Sequence, residues 1–303
     1  MHQSVLLNES IEYLNLKEDS VIVDCTLGYG GHSSEILKRI PKGFLYAFDQ
    51  DKEAIKHAKE RLEKVGNNFE IINTNFVNLK EEMNKRGIKP DGILFDLGVS
   101  SPQLDVPERG FSYHHDARLD MRMNQDANLD AYEVVNTYDE KKLIQILLKY
   151  GEEKYAKSIV KAIIKKREEK PIETTLELAE IIKDNVPEKY RQKSHPARKT
   201  FQAIRIEVNH ELDVLEKALK DALEILNQKG RLCVITFHSL EDKMCKQIFN
   251  EVSSVPNELK KLPIIPDEYK PKYKLIANVS PKDEEIKENK RSRSSRLRVI
   301  ERS

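Results

Sequence analysis

The stretch Val21–Ser34, VIVDCTLGYGGHSS, constrains the fold of this chain more than any other. A short apolar run ends in an aspartate, passes through a turn holding Gly28, Gly30 and Gly31, and leads into a helical pattern near Glu35. Glycines allow positive φ and let a ligand approach the backbone closely, and Ser33 or Ser34 is placed to cap the helix. Strand, glycine turn and helix in that order match a nucleotide-cofactor loop, although a tight structural turn reads the same way. Charge separates the ligand classes. Phosphate-cradling loops add Lys or Arg to their backbone amides, whereas here Asp24 leads into the turn and Lys38 is the first cation after it. A pyrophosphate would be repelled. A cofactor carrying a sulfonium and an ammonium but no phosphate would be favoured, and S-adenosylmethionine has that description.

Residues 1 to 105 continue the alternation. Apolar runs at Phe44 to Phe48, Phe69 to Ile72 and Gly92 to Phe95 are separated by helical patterns over Lys52 to Lys64 and Asn78 to Arg86. Short buried strands alternating with amphipathic helices predict a parallel sheet covered on both faces, a doubly wound α/β fold. From about Val106 to Asn209 the strand pattern stops. Leu143, Ile146, Leu147 and Tyr150, then Tyr155, Ile159, Ala162 and Ile163, fall at helical spacing and predict a small helical core. This stretch reads as a domain inserted between core segments 1–105 and 210–303. A long helix over Glu211 to Leu226 then returns the chain to a strand, Arg231 to Phe237, and Ser239 with Asp242 has the spacing of a capping box. Tyr273 to Val279 and Arg296 to Ile300 predict a closing hairpin at the sheet edge.

The three cysteines, Cys25, Cys233 and Cys245, show no paired spacing, so neither a disulfide framework nor a metal site is expected. The apolar runs are strand-sized and the start, MHQSVLLNES, lacks the flanks of a secretory signal, which predicts a soluble, cytoplasmic protein with no membrane partner. Net charge is only +1, so a nucleic-acid partner has to be argued from local clusters.

In an open parallel sheet, ligands bind beyond the carboxyl ends of the strands near the switch point. Asp24, Asp49 and Asp96 stand at such ends, and Asp49 lies eighteen positions after Gly31, close to the spacing at which an acidic residue takes ribose hydroxyls. Asp51 competes for that role but reads better as the cap of the helix starting at Lys52.

Six blocks in order then resemble one family: DCTLGYGGHS from Asp24, DLGVSSPQLD from Asp96, RGFS from Arg109, LDMRM from Leu119, HPARKTFQAIRIEVN from His195 and FHSLED from Phe237. They are similar to the RsmH/MraW family, bacterial 16S ribosomal RNA methyltransferases that modify the exocyclic N4 amino group of a decoding-centre cytosine. The resemblance implies a Rossmann-like class I methyltransferase core with an inserted helical substrate-recognition domain. It also implies an S-adenosyl-L-methionine site lined by Gly30, Gly31, His32, Asp49, Phe76, Asp96 and Gln103; Asp96, by its place at the strand end, is also the candidate catalytic residue. The implied partner is 16S ribosomal RNA within the small ribosomal subunit. Only the glycines and Asp49 are selected by spacing alone.

Methyl transfer from a sulfonium is governed chiefly by position and orientation. Cytosine's amino lone pair is delocalised, so acceptors that hold its hydrogens should help, and Asp96 with the loop through Gln103 is placed for this. Asp96 is followed by Leu97, Gly98 and Val99 and not by the aromatic motif common in amino methyltransferases, which leaves Phe111 and Tyr113 as candidates to stack on the base. Lys189 to Arg205 holds six cations and no acid, with Arg198, Gln202, Arg205 and Asn209 on one helical face, and Lys287 to Ser303 holds seven cations against two glutamates. Both runs are candidates for phosphate contact. The competing function is a non-catalytic ribosome-assembly factor that keeps the cofactor site as a clamp.

Overall fold

The computed structural model describes residues 4–98, 106–192, 194–255, 258–259 and 266–303. The chain divides into two compact units, Met1–Gly98 with Leu212–Ser303, and Val99–Glu211.

The first unit is built on a seven-stranded sheet. Its strands are β1 (Val21–Asp24), β2 (Phe44–Asp49), β3 (Phe69–Asn73), β4 (Gly92–Asp96), β5 (Arg231–Thr236), β6 (Tyr273–Val279) and β7 (Arg296–Arg302), in the order β3-β2-β1-β4-β5-β7-β6. β1 to β5 are parallel, while β7 runs antiparallel to β5 and β6 antiparallel to β7. The fold is therefore a doubly wound α/β sheet closed by a hairpin, and its order reverses between β1 and β4. Alternation along the strands feeds two cores. Val23, Phe48, Ile93 and Phe95 face one way onto Leu215, Leu219 and Phe249, and Ile22, Leu45, Ala47 and Leu94 face the other way onto Ile36, Leu37 and Ile40. Buried on both faces, these strands read as continuous apolar runs, which is why their limits were legible.

Two helix starts differ from the sequence reading. The helix near Glu35 spans Gly31–Arg39, with Gly30 as its N-cap and no side-chain cap, so Ser33 and Ser34 lie inside it. The helix after β5 spans Ser239–Ser253 and is capped from His238, with Glu241 Oε2 accepting the amides of Phe237 at 2.8 Å and His238 at 3.3 Å. Asp242 is instead held by the Arg298 guanidinium, at 2.7 and 3.0 Å. Asp51 caps Lys52–Leu62, accepting from the amide of Glu53 at 3.0 Å.

The second unit is helical: Ala131–Thr137, Glu140–Gly151, Ala156–Glu169, Thr175–Asp184, Glu188–Arg191 and Arg198–Asn209. Leu143, Ile146, Leu147, Ile159 and Ile163 are buried in one cluster with Phe201, Ile204 and Val208. Helix Arg198–Asn209 crosses Glu140–Gly151 so closely that a Cβ on Gly151 would stand 2.7 Å from the carbonyl oxygen of Lys199. Among the described residues no helix is long and apolar enough to cross a membrane.

Phe95 is fully buried and meets the Phe76 ring edge-on, centroids 5.4 Å apart. Phe95→Ala should lower unfolding free energy by about 3 to 5 kcal/mol, the range for emptying an aromatic site in a core. Urea denaturation would show this as a lower midpoint at unchanged slope.

Candidate active site

The turn after β1 is organised by a buried carboxylate. Asp24 is 1% exposed, accepts the Ser33 hydroxyl at 2.7 Å and the Thr26 amide at 3.0 Å, and has its pKa raised by burial against the opposing pull of those bonds. Thr26 Oγ1 in turn accepts the Asp96 amide at 2.6 Å, joining the end of β1 to the end of β4. Asp24 thus stabilises the turn through its bonds to Ser33 and Thr26. Gly30 carries φ +72°, and a Cβ on Gly31 would lie 1.9 Å from the Ser4 hydroxyl. Both positions demand glycine for local reasons.

Asp49 ends β2. Its Oδ2 accepts the Gly28 amide at 2.8 Å and its Oδ1 the Asp51 amide at 2.9 Å, which ties the glycine turn to the neighbouring strand. A carboxylate offers about four acceptor sites, so these bonds do not exhaust it. Burial raises the Asp49 pKa to about 6, despite the amides that favour the charged form. Phe76 opens a short turn, Phe76–Asn78, soon after β3.

Asp96 ends β4, and burial, then the charges of Asp24 and Glu241, hold its pKa well above the usual carboxylate range. Its Oδ1 is buried and has no hydrogen-bond partner among the described residues, and its Oδ2 lies 3.4 Å from His32 Nδ1. His32 is 4% exposed, its pKa lowered by burial to about 4. The ring is neutral at pH 7. Its Nε2, 3.1 Å from the Val5 carbonyl, is the donor, which leaves the Nδ1 lone pair to face Asp96. Asp96 Oδ2 therefore has the buried imidazole as its neighbour on that side.

The structure brings Gly30, Gly31, His32, Asp49, Phe76 and Asp96 to the carboxyl edge of β1 to β4, whereas Gln103 lies outside the described residues. Thr26 and Glu241 were not singled out from the sequence. Glu241 is 3% exposed and contributes to the Asp96 shift; the FHSLED block contained it, but spacing alone pointed to Asp242. Cys25, Cys233 and Cys245 are buried free thiols.

Two expectations for the helical unit change. Phe111 is 5% exposed in the core of that unit and cannot stack on a base, and Tyr113 stacks on His195, centroids 4.3 Å apart, with its edge to Phe201. The face of Arg198–Asn209 is largely structural. Arg205 makes a bidentate pair with Glu211 at 2.8 and 2.9 Å, Gln202 donates to the Tyr150 carbonyl, and Asn209 bonds Met121 and Met123. Arg198 alone of the four is exposed.

A doubly wound sheet with a glycine turn and carboxylates at its switch point defines an enzyme core of the nucleotide-cofactor class. The MraW methylase family matches residues 1–303. Over 304 residues the chain is 56% identical to the ribosomal RNA small subunit methyltransferase H of Exiguobacterium sibiricum, covering 99% of this chain and 97% of that one. Among solved structures, an rRNA methylase from Streptococcus thermophilus is 12% identical with a TM-score of 0.44, covering 98% of this chain and 93% of that chain. NSun6 from Pyrococcus horikoshii, solved with SFG, is 13% identical with a TM-score of 0.45, covering 99% and 52%. This chain belongs to the MraW methylase family.

The Arg205–Glu211 pair is 16% and 11% exposed, so Arg205→Ala leaves a carboxylate largely uncompensated. A loss of about 1 to 3 kcal/mol is expected, below the full cost of breaking a fully buried pair. Arg198→Ala should leave the melting curve unchanged, and calorimetry of the two variants side by side reads the difference.

Proposed function

We propose that this protein transfers a methyl group from S-adenosylmethionine to the N4 amino group of a decoding-centre cytosine in 16S ribosomal RNA. It acts in the cytoplasm on RNA of the small ribosomal subunit. The family and the name of the Exiguobacterium relative support the reaction class and the RNA. The observation that carries the reading is Asp96 Oδ1, a buried acceptor without a partner among the described residues, at the strand end beside the glycine turn. An acceptor left in that state is costly unless a ligand supplies the donor.

The residues fit the cofactor. Gly30 and Gly31 give the turn its shape, Asp49 retains lone pairs for ribose hydroxyls, Phe76 offers an aromatic ring, and Asp96 with Asp49 gives the edge the acidity that suits a cation. His32 lies against Asp96 Oδ2 at 3.4 Å, and Gln103 completes the proposed set. When bound, S-adenosylmethionine supplies a methyl group already activated on sulfonium. Asp96 Oδ1 accepts an amino hydrogen of the base, which turns the nitrogen lone pair away from the ring and toward the methyl. Alkylation leaves that nitrogen with a proton to lose, and the ionised form of Asp96, its proton affinity raised by burial, receives it. The helical residues 106–209 serve substrate recognition in this reading. The direct test incubates the protein with labelled S-adenosylmethionine and unmodified 16S RNA or small subunits, then maps the labelled nucleotide. Label at an exocyclic cytosine nitrogen supports the proposal, and absence of transfer removes it.

Asp49 gives cofactor binding a pH signature. Ribose hydroxyls donate to the ionised carboxylate, and the free protein protonates Asp49 near pH 6. Affinity should be level above that pH and fall about tenfold per unit below it. Asp49→Ala should bind more weakly by about 1.5 to 3 kcal/mol for each charged hydrogen bond removed and show no such break. Calorimetric titrations with S-adenosylmethionine between about pH 5 and 8 decide it; a level wild-type profile would take the ribose away from Asp49.

Asp96→Ala should reduce turnover beyond any loss of cofactor affinity, by about 10²-fold or more if both orientation and proton transfer are removed. The measurement is single-turnover rate at saturating cofactor and RNA. An unaltered rate would leave Asp96 with no part in handling the amine.

A further inference from the structure

The connection between β6 and β7 ends in a basic turn whose construction goes beyond a solvated charge run. Lys290–Ser294, KRSRS, forms a 3-10 turn stitched from within. Ser292 Oγ donates to the Asn289 carbonyl at 2.8 Å, Ser295 Oγ to the Ser292 carbonyl at 2.7 Å, and the Arg291 amide to Asn289 Oδ1 at 3.1 Å. Ser292 is fully buried and Ser295 4% exposed, while Lys290, Arg291 and Arg293 are exposed or partly so. Small residues point in and cations point out. In 3-10 geometry residues three apart share a side, which puts Lys290 and Arg293 together about 6 Å apart along the axis.

Lys290 and Arg293 are not consumed locally. Among the described residues the side chains of Lys287, Lys290 and Arg293 make no ion pair, although Asp283, Glu284, Glu285 and Glu288 lie on the preceding helix, Asp283–Glu288. Of these acids, Glu285 is turned toward the Leu6 amide at 2.8 Å. Farther along, Arg296 reaches Asn278 at 3.3 Å and Arg298 is held by Asp242 at 2.7 Å, so the start of β7 is anchored while Lys290 and Arg293 before it make no ion pair among the described residues.

Register places this turn at the reactive edge. Arg296 pairs with Thr236, the last residue of β5, and Ile235 pairs with Asp96, the last residue of β4. Because β7 is antiparallel to β5, it begins where the parallel strands end. With strands about 4.8 Å apart, the start of β7 lies about 10 Å from the end of β4. We infer that the Lys290–Ser294 turn holds backbone phosphates of the RNA beside the target nucleotide, with Lys290 and Arg293 as the cations that meet them. The inference rests on the proposed RNA substrate. Bonds to phosphate fix register and orientation and carry no base identity, which is what a rigid basic turn near the reactive carboxylate can provide.

The test compares wild type with Lys290→Ala/Arg293→Ala, using unmodified 16S RNA as probe across a range of salt. The expected slope of log affinity against log salt is shallower by about 1.4 to 1.8, because each phosphate no longer neutralised removes about 0.7 to 0.9. KM for RNA should rise with turnover at saturating RNA unchanged, S-adenosylmethionine affinity and melting temperature should hold, and Lys290→Arg/Arg293→Lys should keep the wild-type slope. Parallel salt lines for wild type and the alanine variant overturn the inference while leaving the methyltransferase reading intact. Weakened binding to assembled subunits with an unaltered slope on free RNA also overturns it and assigns the turn to an acidic protein surface. A wild type that transfers no methyl group to 16S RNA, yet binds S-adenosylmethionine, removes both.

Discussion

One buried carboxylate holds the carboxyl edge of the parallel strands together. Asp24 binds the Ser33 hydroxyl in the helix that follows it and the Thr26 amide in the turn, and the Thr26 hydroxyl oxygen receives the Asp96 amide. The end of β1, the start of helix Gly31–Arg39 and the end of β4 are therefore fixed by a single side chain that is 1% exposed. A buried carboxyl is tolerated only where donors replace water, and here the loop supplies them. Gly28, bonded to Asp49, extends the same lattice to β2. The position of each acidic residue at the site follows from this lattice and not from independent placement.

The first unit segregates its charge although the chain as a whole carries only +1. Asp24, Asp49, Asp96 and Glu241 gather where the parallel strands end, and burial raises the pKa of the three aspartates. The basic turn stands where β7 begins, at the same edge. A cationic cofactor and a polyanionic substrate ask for such a division, one sign deep and the other outside. Net charge conceals it because it sums both signs over the whole chain.

Much of this architecture was legible because parallel strands buried on both faces have to be apolar runs, and their carboxyl ends locate the site through topology alone. Val21–Asp24 and Gly92–Asp96 could be bounded to the residue for that reason. Side-chain direction was not legible. Asp24 and Asp49 look alike at their strand ends, yet one turns inward to the Ser33 hydroxyl and the other toward the Gly28 amide of the glycine turn, a difference set by the donors that neighbouring elements present. Arg205 looked like part of a basic face until Glu211, beyond the helix end, came within reach of it. The capping glutamate after β5 was misplaced by one residue because Asp242 has a partner, Arg298, far away in sequence. Local spacing finds elements, whereas tertiary partners decide what their polar residues do.

The discontinuity of the sheet has a further consequence for synthesis. β4 and β5 are adjacent, yet Asp96 and Arg231 are separated by the whole helical unit. At about 5 to 20 residues per second, the ribosome needs on the order of ten seconds to supply the strand that covers this flank of β4. During that interval the nascent chain presents Ile93, Leu94 and Phe95, all fully buried in the finished protein, on an unpaired strand edge. The interval when nascent chains of this protein are most open to chaperone capture, or to pairing with one another, therefore closes only as residues 231–236 emerge.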